Sequence, residues 1–127
     1  MKLLEYQAKE VLASLGIPIP PGKVARTPDE AAQACEELGP VAIKAQVPVG
    51  GRGKAGGIKV VKTPDEARKA AEAISGMDIK GCKVPRVYCD EARDSQREIY
   101  LSFTVDRHAR DKRRRHNPRG GCSTEHG

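Results

Sequence analysis

The residues best suited to chemistry lie in one short stretch, Pro48-Val49-Gly50-Gly51-Arg52-Gly53-Lys54-Ala55-Gly56-Gly57, where five glycines and two cations share ten positions. Glycine lacks a Cβ, so backbone N–H groups in such a stretch can approach an anion closely, and Arg52 and Lys54 add positive charge. A plain hairpin tip needs about one or two glycines, so the excess points to a loop that cradles phosphate. Immediately upstream, Val41-Ala42-Ile43-Lys44-Ala45-Gln46-Val47 reads as a strand. A lone strand lysine is ordinarily just solvated; beside this loop, Lys44 becomes a second phosphate ligand.

Three phosphate-binding grammars can be tested on the stretch. The P-loop pattern fails, because Pro48 stands where its first glycine belongs and Ala55 replaces its Ser or Thr. The dinucleotide fingerprint fails because a strand follows the loop where a helix is required. Val41-Ala42-Ile43-Lys44 spells the lysine strand of the kinases, but their glycine loop precedes that lysine and here it follows. What survives is a strand lysine followed by a glycine-rich hairpin that folds over the same phosphates.

The elements that must position this site are legible from periodicity and caps. Leu3, Leu4, Ala8, Val11, Leu12 and Leu15 recur at helical spacing and Gly16 ends the run. Ile17 to Gly22 is an extended connector, and Lys23-Val24-Ala25 a short strand. Thr27-Pro28-Asp29-Glu30 and Thr63-Pro64-Asp65-Glu66 share one start signal, with Thr as N-cap, Pro at the first helical position and Glu closing a capping box. They predict helices over 28–38 and 64–75; the residues between do not match, so the shared caps are not a repeat. Residues 58–61, 84–89 and 99–105 complete the strands, with 41–47 and 58–61 joined as a hairpin. The class is α/β (α+β), a mixed or antiparallel sheet flanked by helices.

Glu5-Tyr6-Gln7-Ala8-Lys9-Glu10, Gly16-Ile17-Pro18, Ile43-Lys44-Ala45-Gln46-Val47, the whole run Gly50 to Gly57, Glu98-Ile99-Tyr100-Leu101-Ser102 and Val105-Asp106-Arg107 together resemble the β-subunit family of succinyl-CoA synthetase. The resemblance covers residues 3–107 and implies the N-terminal lobe of an ATP-grasp domain, with 1–106 as a partial nucleotide-binding domain. Malate–CoA ligase and the amino-terminal region of ATP-citrate lyase share the pattern, so the chemistry is better fixed than the acid. The implied reaction is ATP-dependent carboxylate–CoA ligation, a tricarboxylic acid cycle step, through a phosphohistidine on a partner α subunit. The nucleotide is ATP or GTP with Mg²⁺. The Mg²⁺ ligands of the full-length family are absent from this chain, so neither catalytic nor metal-binding residues are expected in it, and it is expected to be incompetent alone. Position by position, the resemblance implies that Lys44 contacts phosphates and that Gly51, Arg52 and Gly53 form the flap. It also implies that Asp90 and Arg93 lie beside the base, and that Glu98 contacts the nucleotide near its ribose. Pro48 departs from the family's His, and Asp90 is one methylene shorter than its Glu.

Charge separates the rest. Residues 107–127 carry seven Arg or Lys against Asp111 and Glu125, hence +5 of the chain's net +6. Adjacent cations there cannot form the buried Val- and Ile-rich strand that the resemblance implies. Codons exist for Arg107–Ala109 and for Lys112–Cys122 that, moved by one base, read Ala-Thr-Arg and Ser-Val-Val-Val-Ile-Thr-Pro-Glu-Gly-Gly-Val. The expectation is a basic, out-of-frame, disordered tail over 107–127 with no stable strand. The alternative is a non-enzymatic basic module binding nucleic acid through 107–127, against which stands the lack of interleaved aromatics. No signal peptide or membrane span is read, and four scattered cysteines without a C-x-x-C pair suit a cytoplasmic location without metal.

Overall fold

The computed structural model describes residues 2–97, 99–106 and 111–117, with Asp106 and the last seven by their backbone alone. Helix α1 (Glu5–Ser14) is followed by strand β1 (Gly22–Ala25), helix α2 (Pro28–Leu38) and strand β2 (Val41–Ala45). Strand β3 (Ile58–Val61), helix α3 (Pro64–Ser75), the short strands β4 (Asp78–Ile79) and β5 (Cys82–Lys83), and β6 (Val87–Glu91) complete a first compact unit, ending at Ala92. Strands β7 (Tyr100–Asp106) and β8 (Asp111–Asn117) belong to a second, which begins at Arg93.

In the first unit the sheet order is β1-β6-β2-β3 with every pair antiparallel. β2 and β3 are neighbours, as their spacing predicts, with Val41 opposite Val61 and Lys44 opposite Ile58. Along β2 burial alternates: Val41, Ile43 and Ala45 are buried, while Ala42 and Lys44 are half-buried. Opposite residues of an antiparallel pair share a face, and β6 sets Cys89 opposite Ile43, Tyr88 opposite Lys44 and Asp90 opposite Ala42. One face therefore carries the core under α2 and α3, and the other carries Lys44, Tyr88 and Asp90.

The core is built from small side chains: seven of its seventeen buried residues are alanines, with Ile43, Ile74 and Ile79 its largest members. Alanine lets α2 and α3 seat closely on the sheet and favours the helical state itself. Both helices begin as the sequence implies, with the Thr27 hydroxyl accepting from Glu30 N–H at 3.2 Å and the Thr63 hydroxyl from Glu66 N–H at 3.3 Å. The reciprocal bond reaches one residue further back than a capping box requires. Glu30 accepts from Arg26 N–H at 2.7 Å and Glu66 from Lys62 N–H at 3.0 Å, the same shift in both copies.

Three expectations need correction. The strand expected over 84–89 begins at Val87 and runs to Glu91. Pro85 has no N–H to give to a ladder, and Val84 N–H is turned instead to Met77 O at 3.2 Å. The β4–β5 hairpin, turned by Lys80 and Gly81 at φ 51° and 81°, carries no sequence signal strong enough to foresee it. Most visibly, the tail expected to lack a strand supplies β8, which pairs antiparallel with β7 from Tyr100–Asn117 to Asp106–Asp111. Charge density forbids burying those side chains but not pairing their backbone, and a ladder of N–H and C=O groups is satisfied whatever the side chains carry.

Thr27→Ala and Thr63→Ala should each lower unfolding free energy by about 1 kcal/mol, and the double variant by close to the sum. Urea unfolding with unchanged midpoints would show that the caps do not set these helices.

Candidate nucleotide site

Sheet parity sets the site. Lys44 projects from the non-core face of β2 and Asp90 from the same face of β6, two positions on from the residue opposite Lys44, within reach of a long side chain. The Lys44 ammonium donates to Asp90 Oδ2 at 3.0 Å and to Glu5 Oε1 at 3.0 Å. Helix α1 lies over this face and brings both Glu5 and Lys9. Lys9 Nζ lies 2.6 Å from Asp90 Oδ2 and 3.3 Å from Glu5 Oε1, and 5.0 Å from the centre of the Tyr88 ring. Arg52 closes the network from the loop, its Nη2 donating to Glu5 Oε2 at 2.8 Å and its Nη1 to Ala45 O at 2.8 Å.

No residue of α1 is fully buried, and Val11, Leu12 and Leu15 on its apolar stripe remain exposed. Polar contacts fasten it. Buried Gln46 accepts from Tyr6 N–H at 3.2 Å while donating to Lys44 O and Ala45 O, and Arg86 donates to the Tyr6 hydroxyl at 3.1 Å. The same helix that carries two site charges is thus held on the sheet by Gln46, just past the strand that carries the site lysine, and by Arg86, just before β6.

The glycine-rich loop is ordered by its own backbone. Ala55 N–H bonds Gly51 O at 3.1 Å, Gly56 N–H bonds Gly53 O at 3.1 Å, and Gly57 N–H bonds Arg52 O at 2.7 Å. Gly51 and Gly56 stand at φ 78° and 79°, where side chains are strained. At Gly57 a Cβ would lie 2.7 Å from Ile79 Cδ1 and 3.1 Å from Arg52 O, so that glycine permits the close return of the loop to β3. Between this loop and the start of α1 lies an open cleft of about 790 Å³, bordered by Glu5, Gly51, Arg52, Gly53 and Lys54.

Three ammonium or guanidinium groups (Lys9, Lys44, Arg52) meet two carboxylates, leaving the cluster one positive charge in excess. Burial alone would raise the Glu5 pKa, but hydrogen bonds and charge from Lys44 and Arg52 outweigh it and pull Glu5 down to about 2. Asp90 is 6 % exposed, and its Oδ1 is a buried acceptor without a hydrogen-bond donor among the described residues. Such an atom is a natural acceptor for a ligand N–H or O–H.

Of the sequence-derived site residues, Lys44, Arg52 and Asp90 come together and Gly51 and Gly53 line the cleft beside them. Arg93 is exposed at the start of the second unit, and Glu98 lies outside the described residues. Glu5 and Lys9 were missed as site members; their i,i+4 spacing on a helix was the one available signal. Among the described residues no three His, Cys, Asp or Glu side chains converge as a metal site, and both site carboxylates face cations. This donor set does not fit Mg²⁺.

A strand lysine and a glycine-rich hairpin loop joined through Glu5, on an antiparallel sheet backed by helices, match the ATP-grasp class of nucleotide-binding domains. The ATP-grasp domain family matches residues 2–126, and the chain belongs to it. Among curated relatives, the succinate–CoA ligase [ADP-forming] subunit beta of Natronomonas pharaonis is 54 % identical over 126 residues, covering 98 % of this chain and 33 % of that protein. The GDP-forming subunit beta of Thermus thermophilus is 52 % identical over 108 residues, covering 84 % and 29 %. The chain thus spans about a third or less of the length of such relatives, 33 % and 29 % in these two. PH1788 from Pyrococcus horikoshii Ot3 shares the fold at a TM-score of 0.80 with 27 % identity, over 94 % of this chain and 53 % of that one. The dinucleotide forming acetyl-coenzyme A synthetase 1 of Ca. Korarchaeum cryptofilum, in complex with coenzyme A, Ca-AMPCP and HgCl⁺, gives 0.73 with 27 % identity over 84 % and 49 %.

Because Glu5 is more acidic folded than unfolded, its contribution is present in full above its ordinary pKa of 4.5 and is lost as pH falls toward about 2. That difference amounts to about 3 kcal/mol. Denaturation of wild type and Glu5→Gln across that window should show the two stabilities converging as pH falls. Parallel curves would contradict the pairing of Glu5 with Lys44 and Arg52.

Proposed function

We propose that this chain supplies the phosphate-binding lobe of an ATP-dependent carboxylate–CoA ligase of the succinyl-CoA synthetase type, acting as part of the β subunit with an α subunit as partner. The reaction converts succinate, CoA and ATP to succinyl-CoA, ADP and phosphate, with the phosphoryl group carried on an α-subunit histidine. A neutral imidazole is a competent nucleophile for that transfer. The observation that carries this reading is the convergence of Lys44, Arg52 and Asp90 beside the glycine-rich cleft. The roughly 50 % identity to succinate–CoA ligase β subunits supports the choice of reaction.

In this reading Lys44, Arg52 and the backbone of Gly51 to Gly53 receive the phosphates of ATP or GTP. Asp90 offers its buried oxygen on the side of the base, and the family resemblance alone assigns Arg93 to the base and Glu98 to the ribose. Catalysis in this class rests on positioning and on neutralising phosphate charge, to which these residues contribute the protein cations and the flap. Mg²⁺ in the complete enzyme is held by residues other than these. The setting is cytoplasmic, with neither membrane nor nucleic acid as partner. No helix among the described residues is long and apolar enough to cross a membrane. A one-base frame change near codon 107 accounts for the basic composition of residues 107–127, and reading the gene across that codon tests it. A gene with no family-like alternate frame there removes the idea.

Isothermal titration of ATP at near-physiological salt tests the site. Binding is expected to be weaker than about 100 μM, or roughly 5.5 kcal/mol, since one lobe holds only part of a nucleotide. Lys44→Ala should weaken it by about tenfold, a loss of about 1.4 kcal/mol, while neutralising Arg113, Arg114 and Arg115 leaves it unchanged. Insensitivity to Lys44→Ala would refute the site. RNA or DNA binding lost only in the arginine variant would favour the basic module. Acid-dependent CoA ligation by the purified chain would refute the expectation that it is incompetent alone.

A further inference from the structure

The phosphate site contains a carboxylate, which at first sight is the wrong charge. Glu5 reaches two elements at once: Oε1 takes the Lys44 ammonium of β2 at 3.0 Å and Oε2 takes Arg52 Nη2 of the loop at 2.8 Å. Its side chain is only 18 % exposed, as against 21 % for Lys44 and 22 % for Arg52, so the bridge is partly withdrawn from water. Charge-assisted hydrogen bonds in such surroundings are strong and directional.

The donor inventory shows that the bridge does not exhaust the cations. An ammonium has three N–H donors and a guanidinium five. Lys44 uses its donors on Glu5 and Asp90, and Arg52 uses one on Glu5 and one on Ala45 O. Each cation therefore keeps capacity for a further acceptor. The loop's backbone bonds do not fix the Arg52 side chain, whose rotamer freedom is expensive to remove on binding. A contact that fixes Arg52 before the ligand arrives removes part of that cost.

We propose that Glu5 is a positioning residue for phosphate binding: it cross-links Lys44 and Arg52, holding the glycine-rich loop over the sheet with donors of both cations still free for the ligand. The inference rests on the phosphate-binding reading above and adds a role for α1, which would otherwise be only a cover for the sheet. The competing role for the same carboxylate is a stand-in for phosphate that ligand must displace, and it has the opposite sign. Neutralising Glu5 weakens binding if Glu5 positions the cations and tightens it if Glu5 competes for them.

The experiment is titration of inorganic tripolyphosphate into the full chain as wild type, Glu5→Gln, Glu5→Asp, Arg52→Gln and the Glu5→Gln/Arg52→Gln double variant. Glu37→Gln, which loses only a surface pair with Lys23, serves as control. Glu5→Gln should weaken binding about tenfold, and by much less once Arg52 is already Gln, since the two act through one contact. Glu5→Asp, too short to span both cations, should fall between wild type and Glu5→Gln, and it carries the test if the amide variant does not fold. Amide exchange should quicken across residues 51–57 in Glu5→Gln while β2 and β6 stay protected, a pattern that general loss of structure does not give. Unchanged or tighter tripolyphosphate binding in the folded Glu5 variants, or full additivity with Arg52→Gln, would overturn the proposal. Absence of tripolyphosphate binding by wild type would instead overturn the phosphate-site reading on which it rests.

Discussion

The bridge between Glu5, Lys44, Arg52 and Asp90 depends on strand parity in β2. Successive side chains of a strand point to opposite faces, so burying Val41, Ile43 and Ala45 against the helices obliges Lys44 to emerge on the other side. The register of β6 then fixes Asp90 on that same side. A slip of one residue in either strand would drive Lys44 or Asp90 into the apolar core, at the cost of an unpaired buried charge. The hydrophobic effect therefore specifies the site indirectly. It selects the register, and the register assembles the charges.

The remaining architecture serves that face. Small alanines under α2 and α3 keep the core layer thin and leave few large apolar side chains to stabilise the fold. The polar face is covered by a helix fastened through Gln46, Tyr6 and Arg86 and through the ion pairs themselves. Removing one member of an ion pair partly withdrawn from water is costly because the other is left uncompensated. Stability and ligand readiness consequently share the same groups. Lys44 and Arg52 each keep N–H donors beyond those engaged by Glu5, Asp90 and Ala45 O.

Local features were legible in the sequence. Caps at Thr27 and Thr63, the alternation in β2 and the excess of glycine in 50–57 each carry their signal within a few residues. The hairpin of β2 and β3 followed from them, whereas the family resemblance assigned Lys44 and Arg52 to the phosphates and Asp90 to the base without foreseeing that Lys44 and Asp90, 46 positions apart, are in hydrogen-bond contact. Glu5 and Lys9 were not legible in the same way, because their partners lie 39 and 81 positions away and no local pattern marks a long-range ion pair. The basic segment misled for a different reason. Its composition speaks about side-chain burial, whereas β8 forms by backbone pairing with β7. Leu101, Phe103 and Val105 remain exposed on one face of β7.

On the proposed reading, the loop 50–57 and Lys44 form one anion-binding site, organised by the face of the sheet opposite the core. The most direct measurement is a backbone ¹H–¹⁵N NMR titration of the chain with ATP at near-physiological salt. The result expected is a saturable set of shift changes at residues 44–46, 50–57 and 90–91, with α1 responding through Glu5 and Lys9. Shift changes confined to residues 111–117, with the loop and β2 silent at saturating ATP, would contradict it.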